Sequence, residues 1–595
     1  MKKIDFGGTA GQTRRSGINS GVDTEALIKA ELEKREKPVQ LDRDKVTFNN
    51  EKIQALTQLE SMLGSFQDIL APLKGAQNFL DTPSALKSKL VSLSSTTTED
   101  PDKFIAISAA SNATLGGFTI QINQVALNKI ISTISFSSLT SSATNVVGDP
   151  VDPNLFSPGT FQINGQNVTV NQGDSLSTIM SNINSVSATS QVTAQIISPI
   201  SGTYKLLLQS TATGLANDIV ITDASNVLNS VISGGTVLQP AQDAIFTYDN
   251  ITVQRSTNTI GDFIDGVTFT LLKPTTITIY TPAPTQQYFQ INALIENDIQ
   301  TAANAIQNFV DSYNSLNKFI TQQQATDAEG KYYDTAKIKN DYYVSNLATN
   351  ISLIACQVAY LAEVSGNFGI TSIDEVPANP NTKEPKYNNL LALSRPVLEN
   401  ALSTNFSTIC SYFEYNLSGA PSTFTMYKHG DGILNGALSI TIDITQPSSQ
   451  IVNATFNSSS INMQFIPTNA GDLTQGGFII GAAGSFMDGY EFGYTGLGNE
   501  TINLTITRGV ADRLYSLVSS AIGSDSYTGT SALQTSISSL ASDNYYKTES
   551  IKRQERELES YKNQLVQKYA KMEAQLAKAN ATIAAIEAQQ RAVSK

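Results

Sequence analysis

With 595 residues the chain has room for about four domains of ~150 residues each, and its 52 acidic against 39 basic side chains leave a net charge of −13. That balance excludes the Lys/Arg surplus on which phosphate-backbone binding rests, so no nucleic-acid partner is expected. Charged residues are 15% of the chain, well under the usual ~25%, and two cysteines with a single histidine exclude a disulfide framework or a zinc pattern.

Residues 1–15 are Gly-rich and basic and are expected to be disordered. Met1-Lys2-Lys3 is followed by Ile4, Asp5, Phe6, Gly7 and Gly8 rather than an apolar run, so no cleavable signal peptide is expected. A first helix is predicted after Gly21, with Asp23 as N-cap and Glu25 near the positive end of the helix dipole. Pro38 is expected to interrupt it, with a longer helix over 39–73 ended by Pro72. Leu41, Phe48, Leu56, Leu59, Leu63, Phe66, Leu70 and Leu73 recur there in steps of three and four or their multiples, one apolar stripe.

From about residue 88 the period becomes two. Phe104-Ile105-Ala106-Ile107, Phe118-Thr119-Ile120-Gln121-Ile122 and Ile131-Ser132-Thr133-Ile134 read as strands. Residues 137–238 read as a separate β-rich module with a short helix near 176–183. Strands return over 244–280, including Phe246-Thr247-Tyr248 and Ile251-Thr252-Val253. Helix resumes at about 288, where Ile299, Ala302, Ile306, Phe309, Tyr313, Leu316 and Ile320 again step by three and four. Two more helices are predicted at about 340–363 and 395–413. The most apolar run, 351–362, is too short to span a bilayer, so no membrane insertion is expected. Cys356 and Cys410 read as buried thiols, a disulfide between them being the alternative.

Residues 416–505 form another β-rich block, clearest at Leu438-Ser439-Ile440-Thr441-Ile442, followed by a helix at about 508–522. From Ile551 a heptad column runs Ile551, Leu558, Leu565, Met572, Ala579, Ile586, Val593, with Tyr569, Leu576 and Ile583 on the same stripe. That is a coiled-coil seam. The expected fold class is α+β multidomain: an antiparallel terminal coiled-coil or helical-bundle stalk formed by both chain ends, with inserted β-rich head domains. The segments expected are a leg of 16–75 with 540–595, a helical bundle of 76–87, 286–415 and 506–539, one head of 88–136 with 239–285, a second of 137–238, and an extra β-domain of 416–505.

Ser16-Gly17-Ile18-Asn19-Ser20-Gly21-Val22-Asp23-Thr24 followed by Glu36-Lys37-Pro38 resembles the opening of the flagellar filament cap protein family, hook-associated protein 2 (FliD). Asp243-Ala244-Ile245-Phe246-Thr247-Tyr248, Phe309-Val310-Asp311-Ser312-Tyr313-Asn314 and Phe368-Gly369-Ile370-Thr371 are similar to later segments of the same family. The Pro377-to-Asn388 loop and Ser394 depart from its pattern. The resemblance implies a non-enzymatic, secreted protein at the distal tip of a bacterial flagellum, exported without a cleavable signal. It implies a homo-oligomeric ring, a pentamer by family resemblance. It also implies contact with flagellin, whose folding and insertion the cap promotes, with a hook-filament junction protein, and with an export chaperone at the C-terminal helix. The residues expected to make assembly contacts are Ile18, Val22, Leu27, Ile28, Leu32, Leu558, Leu565, Tyr569, Met572, Leu576, Ile583 and Ile586. A glycan-binding adhesin or fibre protein, using the 416–505 block, is the alternative.

Catalytic chemistry finds no support. His429, in Tyr427-Lys428-His429-Gly430-Asp431-Gly432, reads as a turn residue. Asp262 with Asp265 and Asp374 with Glu375 read as solvated carboxylates rather than a glycosidase pair. Gly7-Gly8-Thr9-Ala10-Gly11 lacks the Gly-Lys-Ser/Thr ending of a phosphate loop. No cofactor or metal is expected.

Overall fold

The computed structural model of the chain describes residues 23–75, 84–136, 156–228, 230–233, 235–279, 285–327, 329–376, 384–430, 435–443, 451–469, 472–485, 487–496, 498–523 and 531–593. These fall into two compact units, one of Pro83–Ala302 and one joining Met1–Thr82 to Ala303–Lys595.

Helix α1 spans Thr24–Leu70. Asp23 caps it, its carboxylate accepting the Ala26 amide hydrogen at 2.9 Å, which satisfies one of the amides that a helix start leaves unpaired. The expected break at Pro38 does not occur: α1 runs through it. A mid-helix proline costs about 3 kcal/mol, and burial of Leu32 and Val39 on either side offsets it, each such side chain contributing about 1.5–3 kcal/mol.

In the Pro83–Ala302 unit, a five-stranded antiparallel sheet orders Lys89–Ser95, Ile291–Asn297, Gly116–Gln124, Ala244–Tyr248 and Ile251–Arg255. The last two form a two-residue hairpin through Asp249 and Asn250, at φ 45° and 67°. Paired positive φ values give the turn whose twist matches that of the strands. A three-stranded sheet of Thr259–Ile264, Val267–Leu271 and Ile105–Ala109 shares its core, where Phe118, Phe246 and Phe269 pack with Ile120, Ile122 and Ile291. A second core gathers Phe156, Phe161, Val168, Ile179, Leu206 and Leu208. It lies under helix α2 (Leu176–Ser185), capped by Ser175. The helical turns α3 (Ser187–Ser190) and α4 (Ser230–Ser233) complete this part.

In the other unit, α5 (Ile299–Gln324), α6 (Tyr342–Ala355), α7 (Gln357–Val364), α8 (Arg395–Ser411), α9 (Val510–Ile522) and α10 (Ala532–Val593) follow α1 in the chain. Leu56, Leu59, Leu63, Phe66 and Leu70 of α1 are fully enclosed, and Phe66 and Phe413 both meet Phe309 of α5. Tyr313 donates its hydroxyl hydrogen to the Asn389 carbonyl at 2.6 Å. Asn314 exchanges two hydrogen bonds with the backbone of Leu391, so this Tyr-Asn pair fastens the strand Tyr387–Leu393 to α5. Tyr342–Val364 is long and apolar enough to cross a membrane by composition. Cys356 nevertheless divides it into two helices, and Val344, Leu347, Ile351 and Val358 are buried within the unit. Cys356 is half-exposed rather than buried, Cys410 is buried, and the two are not joined in a disulfide, so that alternative falls.

Between α8 and α9 two antiparallel sheets face one core. One orders Tyr415–Ser418, Glu500–Arg508, Gly436–Ile442, Ile451–Phe456 and Ser459–Ser460, the other Phe424–Lys428, Glu491–Tyr494, Asp472–Gly481 and Met463–Asn469. Leu438, Ile440, Ile442, Phe492, Ile502, Leu504 and Ile506 fill the core, each strand presenting alternate residues inward as a pleated backbone requires.

Candidate assembly surface

The two ends of the described chain lie side by side. Asn49 donates to Asp543 at 2.9 Å and Asn544 to Asn50 at 2.8 Å. Further along, Arg43 pairs with Glu555, and the Arg35 guanidinium lies 4.0 Å over the Tyr561 ring. At the far end Ile28, Leu32 and Leu565 form a small apolar cluster against which Leu558, Tyr561 and Tyr569 pack. Partners fall toward the start of α1 as they climb along α10, so the helices run antiparallel. The apolar residues fill the seam, while the exposed Arg43–Glu555 pair adds at most about 1 kcal/mol.

Of the residues predicted to make assembly contacts, Ile28, Leu32 and Leu565 are buried in this seam, and Leu558 and Tyr569 are half-buried against it. Met572 and Leu576 are half-buried. Leu27 is 43% exposed, and Ile583 and Ile586 are 54% and 49% exposed. Ile18 and Val22 lie outside the described residues. From Lys578 to Ala592 every residue of α10 is exposed, roughly 22 Å of helix at about 1.5 Å per residue. Among the described residues, α10 therefore outruns α1.

A second group was missed by the sequence reading. His429 lies outside regular structure, just after the strand Phe424–Lys428, but its side chain, like those of Arg508 and Asp512, is wholly enclosed. Nε2 lies 3.2 Å from Asp512 Oδ1, and Nδ1 lies 2.9 Å from the Gly430 carbonyl oxygen. The Tyr415 ring stacks on the imidazole at 4.1 Å and 7°. Arg508 pairs with Asp512 Oδ2 and donates to Ser516 Oγ at 2.6 Å. Burial works against the Asp512 charge, but hydrogen bonds and charge from His429 and Arg508 outweigh it and hold the carboxyl at about 2. Both imidazole nitrogens face protein oxygens and neither reaches solvent, so this is no Ser-His-Asp base aimed at a substrate. The signal was present in the strand Glu500–Arg508: alternation turns Ile502, Leu504 and Ile506 inward, and Arg508 with them. A charge in that register demands a buried partner, and Asp512 stands four residues on.

The carboxylate pairs are spent on surface contacts. Asp262 accepts from Arg255 at 3.1 Å, Asp374 pairs with Lys386 at 2.8 Å and Glu375 with Lys318 at 2.6 Å.

Comparison with known proteins finds relatives in one family. The family described as flagellar hook-associated protein 2, C-terminus, matches residues 241–581, and its N-terminal counterpart matches 20–129. The flagellar hook-associated protein 2 of Aeromonas caviae is 27% identical over 310 residues, 51% of this chain and 61% of that protein. The A-type protein of Pseudomonas aeruginosa is 26% identical over 333 residues, 52% of this chain and 62% of that protein. The chain thus spans about three-fifths of the length of these curated relatives. The solved D1-D2-D3 domains of the Escherichia coli flagellar cap protein FliD share 23% identity, with a TM-score of 0.43, over 60% of this chain and 89% of that one. A match over more than half of its length decides the assignment: the chain belongs to the flagellar hook-associated protein 2 family.

Proposed function

We propose that the protein is a flagellar filament cap: a non-enzymatic, extracellular structural protein at the distal tip that retains exported flagellin and promotes its folding and insertion. It works as a homo-oligomeric ring, a pentamer. A hook-filament junction protein receives it, and an export chaperone holds its C-terminal helix before export. Residues 16–75 and 540–595 act as a coiled-coil leg, and the 88–136, 239–285, 137–238 and 416–505 segments act as β-rich modules.

The observation that carries the reading is the apolar seam of α1 and α10 around Ile28, Leu32 and Leu565, continued along α10 by the exposed Ile583 and Ile586. An amphipathic helix with Ile583 and Ile586 in water gains by docking a complementary helix, as helix-in-groove contacts do. The segment 578–592 is rich in Ala and weakly charged, with three charged residues, Lys578, Glu587 and Arg591. Contacts of that size are reversible, which suits a cap that must shift as each subunit is inserted.

The test is Ile583→Asp with Ile586→Asp, which leaves the seam around Leu565 intact. In cells whose only cap protein carries both changes, filaments are expected to be short and flagellin to be lost to the medium. Filaments of normal length overturn the assignment of these residues. Binding of the unchanged protein to glycans, together with normal filaments in its absence, favours the adhesin reading instead.

A further inference from the structure

Two exposed apolar groups stand in the unit that holds both chain ends. Along α6 and α7, Tyr342, Leu353, Tyr360 and Val364 are each more than half exposed, Tyr342 at 82%. α6 carries no charged side chain and α7 only Glu363, so this outer face is apolar and nearly uncharged, the mark of a surface that gains by being covered. On α10 the neighbouring Tyr545 and Tyr546 are 65% and 71% exposed, their rings edge to face at 5.6 Å. The charges beside them are cancelled in place: Asp543 pairs with Lys547 at 3.0 Å and Glu549 with Lys552 at 2.8 Å. Neither group presents a net charge that would repel the other.

Both groups are tied to the same turn of α1. Asn544, next to Tyr545, donates to Asn50 at 2.8 Å. Asp341, which precedes Tyr342 and caps α6, pairs with Lys52 at 3.0 Å. Asn50 and Lys52 are two residues apart on one helix, about 3 Å along its axis and about 200° around it. The tyrosine pair and the start of the α6 face therefore stand at one height on opposite flanks of α1. Two different faces so placed cannot meet within one chain, but they join copies head to tail, the arrangement that closes into a ring. We propose that Tyr545 and Tyr546 of one copy pack on Tyr342 and the α6 face of the next, the contact repeating around the homo-oligomeric ring, on which it rests. Tyrosine suits the task, since it buries a large apolar area and keeps a hydroxyl for a polar partner. The Asn346 and Asn350 amides, exposed on α6, offer such partners.

The experiment compares self-association of the full chain with that of Tyr545→Asp/Tyr546→Asp by sedimentation over a range of concentrations. Both side chains are exposed, so the variant is expected to unfold at the same temperature as the unchanged chain. Its self-association is expected to weaken ~30-fold or more, because two aromatic anchors are replaced by charges. Self-association as strong as that of the unchanged chain, with or without a loss of flagellin binding, overturns the contact and leaves the ring standing. An unchanged chain that stays monomeric at every concentration overturns both. Paired cysteines test the same contact with the aromatic residues kept. In a Cys356→Ser chain, Asn346→Cys and Ser542→Cys lie one turn from Tyr342 and Tyr546 on their helices, on flanks of α1 that one chain cannot join. Copper-catalysed air oxidation is expected to give a ladder of covalent oligomers with both changes and nothing beyond a dimer with either alone. Oligomers that persist without the ladder overturn the contact.

Discussion

The two halves of α1 carry the same apolar rhythm and meet very different surroundings. Leu56, Leu59, Leu63, Phe66 and Leu70 are sealed from water, with Phe66 stacked near Phe309. Toward the start, Ile28 and Leu32 share one small cluster with α10, and Leu41 is 61% exposed. Spacing alone names the face of a helix; the number of neighbours on that face decides what the face is worth. The deep half is core, and the shallow half is a contact between two helices.

The sharpest way to break this comparison is Phe66→Ala, expected to cost about 3–5 kcal/mol in denaturant unfolding. A loss below about 1 kcal/mol would mean that the deep half is not core. Leu32→Ala in the shallow cluster should cost about 2 kcal/mol, the low end of the range for buried leucines, because partly exposed neighbours can collapse around it. Asp23→Ala removes the cap hydrogen bond to Ala26 and should cost about 1 kcal/mol, read most directly as faster amide exchange in the first turns. Leu41→Ala should change stability by less than about 0.5 kcal/mol. Native-state hydrogen exchange sharpens the contrast without substitution: amides of 56–70 are expected to exchange only on global unfolding, those of 24–41 by local opening.

Local chemistry was the legible part of this chain. Asp23 ahead of an apolar step pattern announced a capped helix, and the alternation Leu438-Ser439-Ile440-Thr441-Ile442 announced a strand, whose Leu438, Ile440 and Ile442 lie in the core. What failed was whatever depends on residues far away in sequence. Pro38 was expected to break α1 because the flanking burial of Leu32 and Val39 is supplied by tertiary packing. His429 looked like a turn because Gly430 follows it, while its burial is set by Tyr415, Arg508 and Asp512. Cys356 stands in apolar text yet lies half-exposed, since it marks the junction of α6 and α7 rather than a buried helix face. For the assembly surface, heptad spacing located the stripe but could not tell Leu565, enclosed by α1, from Ile583, left in water.

The Asn49–Asp543 hydrogen bond joins residues 494 positions apart, and the Arg43–Glu555 pair joins residues 512 apart. A chain emerging from its first residue onward must therefore expose the opening stripe of α1 until almost everything else has appeared. Closing so long a loop costs only a few kcal/mol more than closing a short one, because the penalty grows with the logarithm of length. The delay is thus one of order in time rather than of final stability: α1 precedes α10 by most of the chain and is among the last helices to find its neighbour, and whatever shields Ile28 and Leu32 in the interval governs how much of the protein reaches its finished state.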